Sequence, residues 1–503
     1  MSDPSSKIIT SFQTRLEMEN ALRSLSEASG DRALRQRAQE IAGLYGDKLL
    51  PLLLASLDTP NPQVRAGLGF IAQQLERLGT VSALRGAAHN RSLSDQARLA
   101  AITLLERFLD VDAEDAMYAG MAAPQELALR SLRELMADSK SDPLVLAEYI
   151  RQLDEEPLDV QLTMLRATRL LDDAEAAPLL GLFAQESNLL IAQEALQALG
   201  TIVDVSAGEM LLGLLPNLPG ERRQQAERSL QKLRLRGVAV PALQAVPAEA
   251  RCLASAISSD GFQVLWFLLP QANGAVQGLH LLISEAQGVA AAHGEHFDDP
   301  TVLPSPQTNG TLLAGAEDQP LLLEAGCDYG RRRLLAVLPG MWASGNRIAP
   351  MYRLLSPQLW RWVAPQPAPP LPEIPAAART DTAQLLQHPA MASWLWQSPH
   401  LYRRAEQILT GSEAPTAESF AAAVQAALQQ ELEQGDLLPD ALHAHLQALV
   451  EWFTLAGDER HADLALSAAL SVTDAPAEHP LLLAMCELGL RMAIFNLARG
   501  LVT

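Results

Sequence analysis

The stretch Leu49-Leu50-Pro51-Leu52-Leu53-Leu54-Ala55-Ser56-Leu57-Asp58-Thr59-Pro60-Asn61-Pro62-Gln63-Val64-Arg65 decides how the first half of the chain is organised. Its leucine-rich start reads as a short apolar helix. Asp58 to Pro62 then breaks that helix, since proline has no N–H to give and clashes with the preceding turn. A proline can still open the next helix, where its missing donor has no partner in any case. Val64, Leu68, Ile71 and Leu75 follow at i, i+4, i+7 and i+11, which is one stripe of an α-helix. The unit is a helical hairpin.

The same stripe returns along the chain. It is carried by Leu34, Ala38, Ile41 and Tyr45, then by Ala97, Ala101, Leu104 and Phe108. Ala128, Leu132 and Leu135 form a shorter one, with Ser139 in fourth place. Val160, Met164, Ala167 and Leu171 follow, then Ala192, Leu196, Leu199 and Val203, and Ala226, Leu230 and Leu233 close the series. The first members stand at 34, 64, 97, 128, 160, 192 and 226, between 30 and 34 positions apart. Partner helices precede the stripes at Leu144–Ile150 and Ala177–Phe183, with breaks at Asp154-Glu155-Glu156-Pro157 and Glu186-Ser187-Asn188. One hairpin of this size cannot bury its apolar face alone, so neighbours must stack. The expectation over residues 1–240 is an α-solenoid, an elongated curved array of helical hairpins.

Asp58-Thr59-Pro60-Asn61-Pro62-Gln63-Val64-Arg65 resembles the start of the second helix of a HEAT repeat, and Ala97-Arg98-Leu99-Ala100-Ala101 is a weaker echo. The resemblance covers roughly residues 10–236. The period is shorter than the ~40–47 residues of eukaryotic HEAT arrays. It is similar to the short bacterial HEAT-like repeats, including those named after phycobilisome lyases. The resemblance implies a scaffold that holds a protein on its inner helices. It also implies a ladder of Asp and Arg at the joints, for which only Arg65 and Arg98 stand in the right place. Family members with enzymatic roles make a bilin-lyase-like or a DNA-glycosylase-like enzyme the alternative.

Outward from the repeat, composition shifts twice. All seven tryptophans, Trp266, Trp342, Trp360, Trp362, Trp394, Trp396 and Trp452, lie in the second half. Periodicity stops near Val238-Ala239-Val240-Pro241, and Pro365 to Pro375 is too rich in proline for a helix. These shifts set an α+β domain at 241–364, a proline-rich linker at 365–377 and a C-terminal helical bundle at 378–503. In the middle region Cys252–Ser258, Phe262–Leu269 and Val276–Ile283 read as strands. Asp260-Gly261 and Asn273-Gly274 suit the hairpin turns between them, so an antiparallel meander is the economical topology. Asp328–Leu338 reads as a helix, a second begins near Ser356-Pro357, and Phe297 to Asp318 reads as a mobile loop. The Asp-Gly hairpin followed by Trp-Phe looks like a pattern of bacterial HEAT proteins that carries no known chemistry. From Ala383 onward the chain is helical, with stops at Pro399, Pro415, Pro439 and Pro480, and Leu481 to Leu501 reads as an apolar core helix. The fold class is mainly α.

The chain has 503 residues, 38 basic and 59 acidic, for a formal charge of −21. Such a surface argues against a general nucleic-acid binder and against docking on anionic lipid. Cys252, Cys327 and Cys486 are odd in number and far apart, which fits neither a disulfide framework nor a clustered zinc site. The N-terminus lacks the cationic start and apolar run of a signal peptide, so a cytoplasmic location is expected.

Candidate chemistry is sparse. His293, His296 and Asp298 are metal-ligand types within one polar stretch, expected to be a solvated loop. His443 and His445 fall about 200° apart on a helix, and His461 and Asp463 join them only if the fold brings them there. Arg331-Arg332-Arg333 can grip an anion, yet occupies more than one helix face, so at least one should be plain surface. Arg222, Arg223, Arg228, Lys232, Arg234 and Arg236 form the most basic stretch. That stretch can meet an acidic partner or pair with Glu221 and Glu227. No phosphate loop, dinucleotide fingerprint or nucleophile elbow occurs, and lysine is absent after Lys232. The expectation is a non-enzymatic protein–protein interaction scaffold, with no catalytic, cofactor or metal residues assigned.

Overall fold

The computed structural model describes residues 4–28, 31–59, 61–113, 117, 124–313, 320–368, 381–411, 416–434 and 437–501. The chain forms two compact units, Met1–Leu132 and Arg133–Thr503. The fold is mainly helical, with one antiparallel sheet in the middle and helices on both sides of it in sequence.

The first unit contains α1 (Pro4–Arg23), α2 (Asp31–Tyr45), α3 (Leu50–Ala55), α4 (Pro62–Ala72), α5 (Arg77–His89) and α6 (Asp95–Thr103), which runs on into a π-helical turn at Leu104–Phe108. The joint at Asp58–Pro62 works as its sequence requires. Asn61 caps α4, its Oδ1 accepting from the N–H groups of Gln63 at 3.0 Å and Val64 at 3.1 Å, and Pro62 starts the helix. Pro60 lies outside the described residues. The stripe Val64, Leu68, Ile71 and Leu75 is buried throughout, as are Leu34, Ala38 and Ile41, and Ala97, Ala101 and Leu104. Alternate helices pack together, α2 on α4 and α3 on α5, while α5 also packs on α6. Arg98 is buried and donates to Ala88 O and Met117 O. Arg65 has no side-chain partner among the described residues.

Helix α7 (Pro124–Asp138) runs across the division at Leu132, and three hairpins follow in the second unit. These are α8 (Val145–Leu153) with α9 (Leu158–Thr168), α10 (Asp173–Phe183) with α11 (Leu189–Leu199), and α12 (Val205–Leu214) with α13 (Gly220–Leu235). First helices α10 and α12 pack on each other. Second helices do likewise, α9 on α11 and α11 on α13. Two stripe positions depart from expectation: Val160 is 37% exposed and Val203 is 61% exposed, and Leu165 takes the buried place in α9.

The sheet has six strands in the order β4-β3-β2-β1-β6-β5, all neighbours antiparallel. They are β1 (Arg251–Ser255), β2 (Gln263–Pro270), β3 (Val276–Ser284), β4 (Gly288–Phe297), β5 (Leu312–Leu313) and β6 (Leu322–Glu324). Gly261 and Gly274 take φ of +84° and +86° in the two predicted turns, a backbone that side chains with a Cβ resist. The polar stretch His293–Phe297 is strand, not loop, and the edge strand β4 is the main correction to the meander. Of the expected loop 297–318, the described part contains a 3₁₀ turn at Pro300–Val302 and β5, while residues 314–318 lie outside the described residues.

Helices α14 (Gly326–Ala343) and α15 (Pro350–Trp360) pack on the sheet. The C-terminal helices are α16 (Pro399–Thr410), α17 (Ala417–Gln434), α18 (Pro439–Leu455), α19 (Glu459–Ser471) and α20 (Pro480–Ala498). Pro399, Pro439 and Pro480 open helices rather than merely end them; Pro415 lies outside the described residues. One core runs from Cys252 on β1 to Ala493 on α20. Trp452 and Trp394 tie it together, donating from Nε1 to Ala254 O and Ile257 O. Boundaries expected near 240 and at 365–377 both fall inside this unit, and the linker beyond Ala368 lies outside the described residues. Helix α20 is long and apolar enough to cross a membrane, yet it buries Leu481, Leu482, Met485, Cys486, Leu490 and Ala493 in that core.

Candidate functional site

The hairpins of the second unit have two faces with different fates. The first-row helices α8, α10 and α12 all pack against α15. Their closing turns supply Asp154, Gln185 with Glu186, and Asn217, about one repeat apart. Arg353 of α15 is 1% exposed and meets both acids, at 2.6 Å to Asp154 Oδ2 and 2.8 Å to Glu186 Oε2. Its backbone O accepts from Gln185 Nε2 at 2.7 Å. Asn217 donates to Ser356 Oγ at 2.8 Å and accepts from Tyr352 OH at 2.8 Å. Burial is the largest influence on both carboxyls and works to raise each. In Asp154 it prevails over Arg353, pushing the carboxyl up to about 6. In Glu186 the combined pull of Arg353 and hydrogen bonds from Ser187 and Asp154 wins, holding it at about 2. This face is closed.

The second-row face is open. Helix α11 presents Glu194, Gln197 and Ala198, with Thr201 just after it, and α13 presents Gln225, Arg228, Ser229 and Lys232. Each set follows i, i+3, i+4, i+7, so each lies along one helix face, with the small buried residues Ala198 and Ser229 between more exposed polar ones. Arg169, the residue that ends α9, completes the lining of a groove of about 340 Å3. Its floor is made by small residues. A Cβ on Gly200 would stand 2.8 Å from Ser229 Cβ, so only glycine lets the helices come this close. Ser229 Oγ donates across to Leu196 O at 2.7 Å.

The groove is cationic in a strongly acidic chain. Among the described residues, Arg169, Arg228 and Lys232 pair with no carboxylate; Arg228 Nε donates only to Gln224 O, at 3.3 Å. The one acid of the lining, Glu194, lies 3.7 Å from Arg166. The rest of the basic stretch is dispersed. Arg222 stacks over Trp342 at 4.7 Å and donates to Ser187 O, Arg223 pairs with Glu227 at 3.2 Å, and Arg236 caps Thr201 O at 3.0 Å.

Other sequence candidates separate. His293 and His296 sit on opposite faces of β4, so they share no ligand. His293 instead meets Glu295 beside His280, which stacks on Trp266 at 4.4 Å, while His296 meets Asp298. All three arginines of the Arg331–Arg333 run have protein partners: Arg331 donates to Val363 O, Arg332 pairs with Glu451 at 2.6 Å, and Arg333 donates to Gln263. None is plain surface. His443 and His445 go to Ala469 O and Ser259 O. The thiols are buried, which pushes Cys327 and Cys486 up to about 12.

A cluster that the sequence reading missed joins His388, Asp458 and His461, with ligand atoms within 4.8 Å of one another. His461 Nδ1 lies 2.7 Å from Asp458 Oδ2, and His388 Nε2 lies 3.8 Å from it. His388 Nδ1 accepts from Ala390 N–H at 3.1 Å. That leaves the ring proton on Nε2, facing the carboxylate, so His388 offers this centre a proton rather than a lone pair. The hydrogen-bonded pair here is His461 with Asp458, and His388 stands beyond hydrogen-bond distance. Compared with protein-family models, curated proteins and solved structures, the chain matches none.

Proposed function

We propose that the chain is a non-enzymatic scaffold. Its N-terminal half is a HEAT-like solenoid, and a protein partner docks on the second-row helices. The observation that carries this reading is the contrast between the two helix faces. First-row helices spend their polar joints on α15, while second-row helices set Glu194, Gln197, Thr201, Gln225, Arg228 and Lys232 along an open groove. Stacked hairpins present such residues in register, which is how repeat proteins build extended binding surfaces. A photo-crosslinking residue placed at Gln197 or Gln225, in the native cell, should give a discrete protein adduct. The same residue at Leu243, which is 44% exposed and outside the groove lining, should not. Adducts at Leu243 with none at Gln197 and Gln225 would sink the reading.

A further inference from the structure

We infer that the groove between α9, α11 and α13 receives a short acidic segment of the partner in extended conformation, whose carboxylates are held by Arg169, Arg228 and Lys232; this rests on the scaffold reading above. Charge comes first. Three cations without carboxylate partners among the described residues converge on one groove, although the chain as a whole carries −21. Like charges held together on neighbouring helices repel one another, and a ligand that brings anionic groups relieves that repulsion.

Spacing comes second. Arg228 and Lys232 stand four residues apart on α13, which sets their Cβ atoms about 5–6 Å apart. In an extended peptide, residues i and i+2 point the same way and lie roughly 6.6–6.8 Å apart. Two acidic residues separated by one other residue therefore match that pair, and Arg169 awaits a third. Gln197 and Gln225 add amide donors and acceptors suited to a peptide backbone.

Size and sign set a peptide ahead of a nucleic acid. A single DNA-binding module covers roughly 600–1,000 Å2 with a row of phosphate contacts. Here the lining offers three cations rather than a row of them, and Glu194 stands on its wall. The net charge also repels a polyanion more strongly than it repels a few carboxylates.

The test uses the full-length protein and fluorescein-labelled peptides read by fluorescence anisotropy. The sequence Glu-Ser-Glu-Ser-Glu should bind, and the versions with Lys or Gln in place of Glu should not. Binding should weaken as NaCl rises from about 50 to about 300 mM, since the contacts are exposed ion pairs. The triple variant R169E/R228E/K232E should lose about tenfold or more in affinity. A control with the same change in net charge, R91E/R234E/R347E, alters exposed arginines outside the groove lining and should bind as the parent does. Circular dichroism checks that both variants fold. Equal binding by parent and groove variant, equal loss in groove variant and control, or tighter binding of a 16-base-pair duplex than of the acidic peptide would each overturn the inference. If crosslinks at Gln197 and Gln225 persist while the acidic peptide fails, the scaffold stands and the acidic partner does not.

Discussion

Arg353 shows what one residue carries in this fold. At 1% exposure it faces Asp154 and Glu186, donates from Nε to Ile348 O, and lends its own carbonyl to Gln185. Taking away one member of a buried ionic group leaves the others charged and unpaired. Arg353→Met should therefore cost about 3–5 kcal/mol in urea unfolding followed by tryptophan fluorescence. Arg353→Lys keeps the charge but loses the two-pronged geometry, so it should fall between the two. An unchanged urea midpoint in the Met variant would remove Arg353 from this role. His479 gives a second test at the same scale. It is 4% exposed, its Nε2 lies 3.0 Å from Ser471 Oγ, its Nδ1 has no partner among the described residues, and burial holds the ring at about 4. The folded ring thus binds its proton less readily than the unfolded one, whose ordinary value is about 6.5. Its contribution is present above that value and fades as pH falls from about 6.5 towards 4. His479→Gln should flatten the decline of the urea midpoint across that window, and a slope identical to the parent's would show that other groups set it.

Elements meet in this protein at positions where a Cβ has no room. Gly489 of α20 lies against Trp396 O and Gly213 of α12 against Pro357 O; in each case the obstacle is backbone, which yields little. Gly489→Ala should cost about 1–3 kcal/mol through forced helix displacement. Gly43 lies within α2 with open space around it, so Gly43→Ala should instead gain about 0.5–1 kcal/mol. Midpoints moving in the same direction would show that space around the Cβ does not decide the sign. The same scale explains what the sequence discloses. Helices and their breaks were legible because apolar spacing and proline act locally, as at Asn61-Pro62 and Pro439. Strand β4 was not: Gly288-Val289-Ala290-Ala291-Ala292 has weak strand preference, and only its pairing with β3 makes it a strand. Val160 and Val203 met the stripe template but ended up exposed, since a template of four positions does not say which side of a helix the neighbours cover. The groove was half legible. Glu194, Gln197, Ala198 and Thr201 stand 31 positions before Gln225, Arg228, Ser229 and Lys232, so the repeat already sets them in columns. What the basic stretch alone could not disclose is that Arg169 joins this column while Arg222 turns away to Trp342.

At the scale of the molecule, the boundary between compact units falls at Leu132, well before the loss of periodicity near Val240. The reason lies in what each hairpin packs against. Helices α8, α10 and α12 bury their joints on α15, so the last three hairpins belong with the sheet and the C-terminal helices. The core of the first unit is instead a separate cluster, from Met18 to Met117. Units with separate cores can unfold separately, and the tryptophans offer a way to see it. All seven lie between Trp266 and Trp452, inside the second unit. Tryptophan emission therefore reports on that unit alone, whereas far-ultraviolet circular dichroism reports on the helices of both. In urea, the dichroism should change in two steps, only one of them shared with fluorescence. Arg353→Met should move the shared step and leave the other in place. Gly43→Ala, in α2, should move the step that fluorescence does not see. Coincident single transitions by both probes, shifting together in both variants, would mean that the chain unfolds as one cooperative body despite the separate core of its first unit.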